Sequence, residues 1–381
     1  MLVLGSGLMG RGAAFDLARN EDVDQVIVAD INSKAADNLA EEMGPKVVPR
    51  TVDARNHSQL VSLFSEVDSV VSAISYTVNL LHTEVAIETG THMCDLGGNL
   101  WVVEKQMELD GAAKDADITV VPDCGVAPGM TNILTRAGID QFTVVDNVKI
   151  RVGGLQQNPL PPLDYSLIFS VEGLINEYVE PCRVIRNGKV AMEDPLEEIE
   201  TIEFPKPFGT LEAFNTSGGT STLPITYKGK VRDLDYKTIR YPGHGDKMWS
   251  FFKLGLMDSE EQDFDGVRIA PRRVLERLLE RNLPPTGKDA TLIRVSIEGR
   301  KENETRIVQY EVIDYFDDES GLTSMMRTTS FPAAVVATMC AKGTITERGV
   351  LPPELSVPPG PFIEEMQKRG IPIKETLIQL G

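Results

Sequence analysis

The sequence predicts an α/β protein in two domains, a doubly wound parallel sheet followed by an α+β domain on a mixed or antiparallel open sheet. Three observations carry this. Six apolar runs alternate with helix-like stretches through the first third of the chain. A Gly-x-Gly-x-x-Gly turn follows the first run at once. Beyond about residue 125 the strand-like runs lose their regular intervening helices and alternate with period two. A chain of 381 residues, 41% of them hydrophobic, has material for two cores.

The first-domain strands are expected at Leu2–Leu4, Val26–Ala29, Val47–Val52, Ser69–Ala73, His92–Leu96 and Ile118–Val121. Helices are expected near 10–19, 33–43, 57–65, 79–89 and 101–116. Met1 sits almost at the glycine turn, so either the start lies upstream or the first strand is minimal. In the second domain, Val148–Val152 and Thr238–Tyr241 read as strands. Thr291–Glu298 and Arg306–Tyr315 read as a hairpin around the polar turn 299–305. Helices near 166–178 and 271–282 cover that sheet, and Ala333–Ala341 and Phe362–Arg369 are further helices. The expected boundaries are 1–124 for the first domain and 125–331 for the second, with 332–381 packing back on the first.

Charge excludes some functions. There are 57 acidic and 38 basic residues, for a net of −19, which disfavours nucleic acid and anionic membrane partners. No apolar run reaches the length of a membrane span, and the N-terminus lacks signal-peptide character. The four cysteines are scattered, so no disulfide framework is expected and a cytoplasmic setting is the default. Four histidines without ligand spacing and no Cys-x-x-Cys argue against a metal site.

Gly5-Ser6-Gly7-Leu8-Met9-Gly10 lies between a strand and a helix, the context a Rossmann dinucleotide site requires. Gly5 permits the tight turn, Gly7 lets backbone approach a pyrophosphate, and Gly10 lets helix and strand pack closely. The helix N-terminus, with Leu8 and Met9, offers N–H donors to phosphate. Asp30, 20 residues after Gly10, ends the second strand and suits the ribose hydroxyls of NAD. It repels a 2′-phosphate, and Ile31, Asn32 and Ser33 add no arginine, so NAD is favoured over NADP. Asp53 and Ala54 follow the third strand toward the adenine. Ala73, Ile74 and Ser75 follow the fourth and run along the cofactor, with Tyr76 next toward the substrate. Asp95, Leu96 and Gly97 end the fifth strand in the same way, where the double glycine suggests close backbone approach.

Asp123 stands where the sixth strand leaves the sheet, placed for a general base or an ammonium partner. Cys124 beside it reads as a small core residue rather than a nucleophile. Thr216-Ser217-Gly218-Gly219-Thr220-Ser221 is rich in small donors that can hold a carboxylate. Lys237, Arg240, Tyr241 and His244 make a basic segment in an acidic chain.

These pieces together resemble the saccharopine dehydrogenase-like group, and within it the lysine 6-dehydrogenases. The resemblance is carried by Leu4–Gly10, Asp95–Gly98 and Pro122–Met130. In the second domain it is carried by Pro161–Tyr165, Phe169–Leu174, Leu211–Ser221 and Lys237–Tyr241. It implies NAD-dependent oxidation of the ε-amino carbon of L-lysine, with release of ammonia and 2-aminoadipate 6-semialdehyde, which cyclises. It also implies a homodimer or larger homo-oligomer.

Such a reaction needs a base for the reacting amine, for which Asp123 and Asp95 are candidates and His244 a third. Arg240 and the loop of Thr216, Ser217, Gly218 and Thr220 are candidates for the α-carboxylate. Glu172 is the candidate for the α-ammonium, and Tyr165 lines the stem. Two alternatives stay open. One is a saccharopine or carboxynorspermidine-type dehydrogenase. The other is an NAD-binding regulatory protein without catalysis. Residues 1–130 carry 20 acidic and 8 basic groups, which suits a cationic substrate.

Overall fold

The computed structural model describes residues 1–284, 287–302 and 304–380. The chain divides into two compact units. The first comprises Met1–Asp140, Ser221–Leu223 and Met326–Ile373; the second comprises Gln141–Thr220, Pro224–Met325 and Lys374–Gly381.

In the first unit, six strands alternate with helices: β1 (Leu2–Leu4), β2 (Val26–Asp30), β3 (Val47–Thr51), β4 (Ser69–Ser72), β5 (His92–Asp95) and β6 (Thr119–Val121). A seventh parallel strand, Gly349–Val350, pairs with β6, giving the order 349–350, β6, β5, β4, β1, β2, β3. The order reverses at β1, so the carboxyl ends of β1 and β4 flank the switch point where ligands bind in such sheets. Leu2, Val3 and Leu4 are all buried, and their strand pairs with a neighbour on each side. Short as it is, β1 is an interior strand of the sheet, between β4 and β2. Leu4, Val70, Phe64, Val85 and Val120 belong to the core on one face.

Three helices of this unit start on asparagine caps. Asn32, Asn56 and Asn99 accept from the N–H groups of Ala35, Gln59 and Val102, each at 3.2 Å. The helix Leu8–Arg19 starts instead on Gly7, which has no side chain to give. The expected helix 101–116 is two, Leu100–Met107 and Asp110–Asp115. The expected helix at 333 begins at Ser324 and runs through Pro332 to Ala341. Proline there removes one backbone hydrogen bond, yet Phe331, Ala333, Ala334 and Val336 on either side are buried. Packing outweighs the local break.

The second unit holds β7 (Val144–Gln156), β8 (Cys182–Arg186), β9 (Lys189–Glu193), β10 (Glu200–Phe204), β11 (Gly209–Asn215), β12 (Val231–Arg240), the hairpin β13 (Gln262–Phe264) and β14 (Val267–Ile269), β15 (Asp289–Lys301) and β16 (Glu304–Tyr315). The large sheet runs β10, β11, β12, β7, β15, β16 and then the strand Lys374–Gln379. Only the β12–β7 pair is parallel along this order, so the sheet is mixed. The hairpin is longer than 291–315 implies, since pairing extends to Lys301 and Glu304. Asn303, inside the expected turn, lies outside the described residues. Asp289 caps Ser324 and Met325, accepting from their N–H groups at 2.7 and 2.9 Å.

Candidate active site

The glycine turn is built by exclusion. A Cβ on Gly10 would stand 1.9 Å from the Gly5 carbonyl oxygen, and one on Gly5 (φ +97°) would stand 2.5 Å from Ile74 Cγ2. The turn after β1 and the segment Ala73–Ile74 after β4 are thus pressed together. Gly7 is different, with open space where its Cβ would be. An uncapped helix N-terminus beneath an open glycine could cradle a pyrophosphate on the N–H groups of Leu8, Met9 and Gly10. Leu8 and Ile31 stand beside it, 57% and 69% exposed. A dinucleotide lying along the turn would cover both.

Asp30 Oδ2 accepts from Ser6 N (2.8 Å) and Ser6 Oγ (2.7 Å), and Oδ1 accepts from Asn32 N (2.9 Å). Partial burial pushes this carboxyl up, but the hydrogen bonds from Asn32 and Ser6 outweigh it and hold it below the usual range. Asp30 is therefore a fixed anion at the end of β2, with lone pairs left for ribose hydroxyls. Asp53 closes its own turn, accepting from Arg55 N at 3.0 Å. The Ala54 carbonyl is tied to buried His82 Nε2 at 2.9 Å, and His82 Nδ1 reaches Ser72 Oγ at 3.1 Å. The loops after β3 and β4 are joined in this way. Ser75 Oγ contacts Thr77 Oγ1 at 3.0 Å in the short turn that carries Tyr76.

Beyond β5 and β6 lies a knot of buried carboxylates. Asp95 Oδ1 accepts from both Gly97 N (2.7 Å) and Asp123 N (3.2 Å), and Oδ2 accepts from Gln106 Nε2 (2.7 Å). With its acceptor sites turned to the protein, Asp95 organises the two turns and is not placed to take a substrate proton. Asp123 differs. Its Oδ2 receives the Ser221 hydroxyl, and its Oδ1 lies where a Cβ on Gly97 would be, 1.8 Å away. A Cβ on Gly98 would stand 2.9 Å from Tyr76 Cδ1, so Tyr76 lies against the same turn. Burial pushes the Asp123 carboxyl up to about 7, the negative charges of Asp95 and Glu354 add to this, and Ser221 opposes it. Glu354, fully buried, accepts from Thr222 Oγ1 (2.7 Å) and Asn132 Nδ2 (3.0 Å). Cys94, Cys124 and Cys340 are buried in the same unit, and burial drives the Cys124 and Cys340 thiols far up. Thiols so held are poor nucleophiles.

In the second unit, Arg240 ends β12 and is 4% exposed. Its Nη1 donates to the Ile239 carbonyl (3.0 Å), its Nε has no hydrogen-bond partner, and Nη2 stands 3.9 Å from Glu177. The guanidinium lies 5.0 Å from the ring centre of buried Tyr165. Arg240 and Tyr165 are therefore brought together. Glu172 is not, because it is exposed in the first turn of the helix Val171–Val179. The carboxylate facing Arg240 is Glu177, further along that helix. Burial pushes it up to about 7 against the pull of Arg240. No local pattern distinguishes the two glutamates.

Two further expectations change. His244 starts a helix, His244–Lys253, and lies inside the core. Its Nε2 meets Tyr178 Oη (3.1 Å) and its Nδ1 meets the Leu163 carbonyl (3.0 Å), so neither ring nitrogen is left for a substrate. Burial and the neighbouring Arg240 drive it down to about 3, so it is neutral at ordinary pH. The 216–220 loop is also bound inward. Thr216 Oγ1 meets Thr238 Oγ1 (2.7 Å), Ser217 Oγ donates to the Asn176 carbonyl (3.2 Å), and Thr220 Oγ1 donates to the Arg183 carbonyl (2.8 Å). Gly218 takes φ +87° at its exposed tip. Ser217 N donates to the Glu177 carbonyl (3.0 Å), so the loop supports the Glu177 helix instead of forming a nest of donors.

Among the described residues no helix is long and apolar enough to cross a membrane, and no group of three His, Cys, Asp or Glu side chains is placed to hold a metal.

Comparison with known proteins fits both units. Residues 1–121 match the family model described as the saccharopine dehydrogenase NADP binding domain, and residues 125–371 the saccharopine dehydrogenase C-terminal domain. The mitochondrial alpha-aminoadipic semialdehyde synthase of Mus musculus is 22% identical over 97% of this chain, which spans 47% of that protein. The NADP(+), L-glutamate-forming saccharopine dehydrogenase of Saccharomyces cerevisiae is 21% identical over 99% of each. The apo structure of the L-Glu-forming saccharopine dehydrogenase from Saccharomyces cerevisiae shares the fold, with a TM-score of 0.81 at 20% identity over 99% of both chains. The chain belongs to the saccharopine dehydrogenase family, with that family's pyridine-nucleotide-binding domain at its N-terminal end.

Proposed function

We propose that the protein is an NAD-dependent dehydrogenase that oxidises the ε-amino carbon of L-lysine. Lysine, NAD⁺ and water give 2-aminoadipate 6-semialdehyde, ammonium, NADH and a proton. The observation that carries this is Asp123, a buried carboxyl at the end of β6 that titrates near neutrality. An ε-ammonium must lose a proton before its carbon can give up hydride, and a base is most effective when its pKa lies near the working pH. Bound nicotinamide supplies the hydride acceptor. Asp123 takes the ammonium proton and later assists addition of water to the substrate imine. Asp95 holds the turns that present it. Gly7, Leu8, Met9 and Gly10 hold the pyrophosphate, and Asp30 the adenosine ribose.

Arg240 and Glu177 match the two charges of an α-amino acid, carboxylate on the guanidinium and ammonium on the glutamate, with Tyr165 beside the stem. Three other cations of this sheet are held by carboxylates. Arg151 pairs with Glu200 (2.5 Å) and Asp235 (2.6 Å), Arg186 with Glu193 (2.8 Å) and Asp235 (2.9 Å), and Lys237 with Glu200 (3.3 Å). Of these four, Arg240 has the longest carboxylate contact, 3.9 Å to Glu177, and its remaining side-chain partner is the neutral Tyr178 hydroxyl. That favours a substrate with one carboxylate over saccharopine, which carries three. NAD is favoured by Asp30, although the Saccharomyces cerevisiae relative is named for NADP(+). The protein is proposed to work as a homo-oligomer in the cytoplasm.

A saccharopine-type reaction is the second reading, favoured by the names of the relatives that match from end to end. Steady-state assays of NAD reduction with lysine and with saccharopine separate the two. Lysine should give one ammonium per NADH. Turnover of saccharopine alone, without ammonium, would reverse the choice.

A further inference from the structure

We infer that Ser221 is the positioning residue for Asp123, its hydroxyl holding the carboxylate in the one orientation from which it can take the substrate's proton. The inference rests on Asp123 as the base, as proposed above. Ser221 is the last residue of the Thr216–Ser221 run, but it belongs to the first unit together with Thr222 and Leu223, whereas Thr216–Thr220 belong to the second.

Three features support it. The Asp123 carboxylate is held at both oxygens, Oδ2 by the Ser221 hydroxyl and Oδ1 against the Cα of Gly97. Both partners adopt left-handed backbone without being glycine, Asp123 at φ 63° and Ser221 at φ 40°. Such conformations persist where the surroundings over-determine them, and they gather at functional sites. Finally, Thr222, the residue after Ser221, is anchored. Thr222 Oγ1 donates to Glu354 Oε1 (2.7 Å), Asn132 Nδ2 to Glu354 Oε2 (3.0 Å), and Gly129 N to Asn132 Oδ1 (3.1 Å). The residue next to Ser221 is thus tied by a chain of hydrogen bonds to the turn that follows β6.

The charged groups acting on Asp123 are Asp95 at the end of β5 and Glu354 in the helix Pro353–Ser356, both carboxylates. Among the groups acting on it, Ser221 alone favours the ionised form. Without that hydrogen bond the base would be protonated over a wider pH range and free to turn.

The test is Ser221→Gly, which removes the hydroxyl while accepting positive φ, with Ser221→Ala beside it. The log kcat/KM for lysine is measured against pH, and NADH binding is followed by fluorescence. The expected result is an acidic limb moved up by about one pH unit in both variants, with NADH affinity kept. A limb at the wild-type position in Ser221→Gly overturns the inference. So does a uniform loss at every pH. The parent assignment is tested separately by Asp123→Asn. If that variant keeps wild-type turnover, Asp123 is not the base, whatever Ser221 does.

Discussion

Two clusters of buried charge, one in each unit, are built in opposite ways. In the second, guanidinium groups and carboxylates alternate, with Glu200, Arg151, Asp235, Arg186 and Glu193 in sequence. Burial pushes Glu200 and Asp235 up, but Arg151 and its neighbours outweigh it, and both are held below the usual carboxylate range. In the first unit Asp95, Asp123 and Glu354 gather at one place, and the charges that act on Asp123 are of its own sign. A paired carboxylate is a fixed anion that ties strands together. An unrelieved one exchanges its proton near neutral pH. The difference marks one region as architecture and the other as chemistry.

The contrast can be broken at either side. The largest effect is expected from Asp123→Asn, with kcat/KM for lysine falling about 10²- to 10⁴-fold at pH 8 while NADH still binds, checked by steady-state kinetics and fluorescence titration. The opposite change belongs to the ladder. Arg151→Ala should leave Glu200 with Lys237 alone and Asp235 with Arg186 alone and cost on the order of 3 kcal/mol, read as a lowered denaturation midpoint. The pH limb of kcat/KM in whatever remains folded should not move.

Arg240→Ala should raise the KM for lysine about 10- to 100-fold with a smaller change in kcat, because carboxylate binding is made before and during reaction alike. An unchanged KM would remove Arg240 from the site.

Stability should also depend on the knot. The Asp123 carboxyl lies higher in the folded chain than the ordinary 3.8. Its contribution to stability is therefore complete below about pH 4 and is lost as pH rises through about 7. Asp123→Asn should be more stable than the wild type at pH 8 by on the order of 4 kcal/mol, and this gain should vanish near pH 4. Smallest is the cofactor choice. Asp30→Ser should narrow the preference for NAD over NADP about tenfold, measured as a ratio of kcat/KM values.

What a sequence can reveal follows the range of each interaction. The glycine turn, Asp30 and the asparagine-capped helices are legible because each is decided within a few residues. Strands β9 and β10 are not, since Lys189–Glu193 and Glu200–Phe204 are largely exposed or half-exposed and each carries two charged residues. The helix through Pro332 hides behind a residue that locally forbids it. At the site, Asp123 is visible from its place after a strand. Ser221 lies 98 residues away and Glu354 is 222 residues from its partner Asn132, so no local pattern announces them. Glu177 and Glu172 share a helix, and only its packing decides which one meets Arg240. His244 misleads because an isolated histidine in a basic segment looks reactive until both its nitrogens are seen engaged.

Hydride transfer from the ε-carbon of lysine is tested most directly with isotope. L-lysine carrying deuterium at C6 is incubated with NAD⁺, and the reduced nucleotide is examined by mass spectrometry, with lysine deuterated at C2 in parallel. Deuterium should appear in the nucleotide from the C6-labelled substrate and not from the C2-labelled one, with one ammonium released per turnover. Label arriving from C2, or no reduction with either lysine while saccharopine is oxidised, would contradict it.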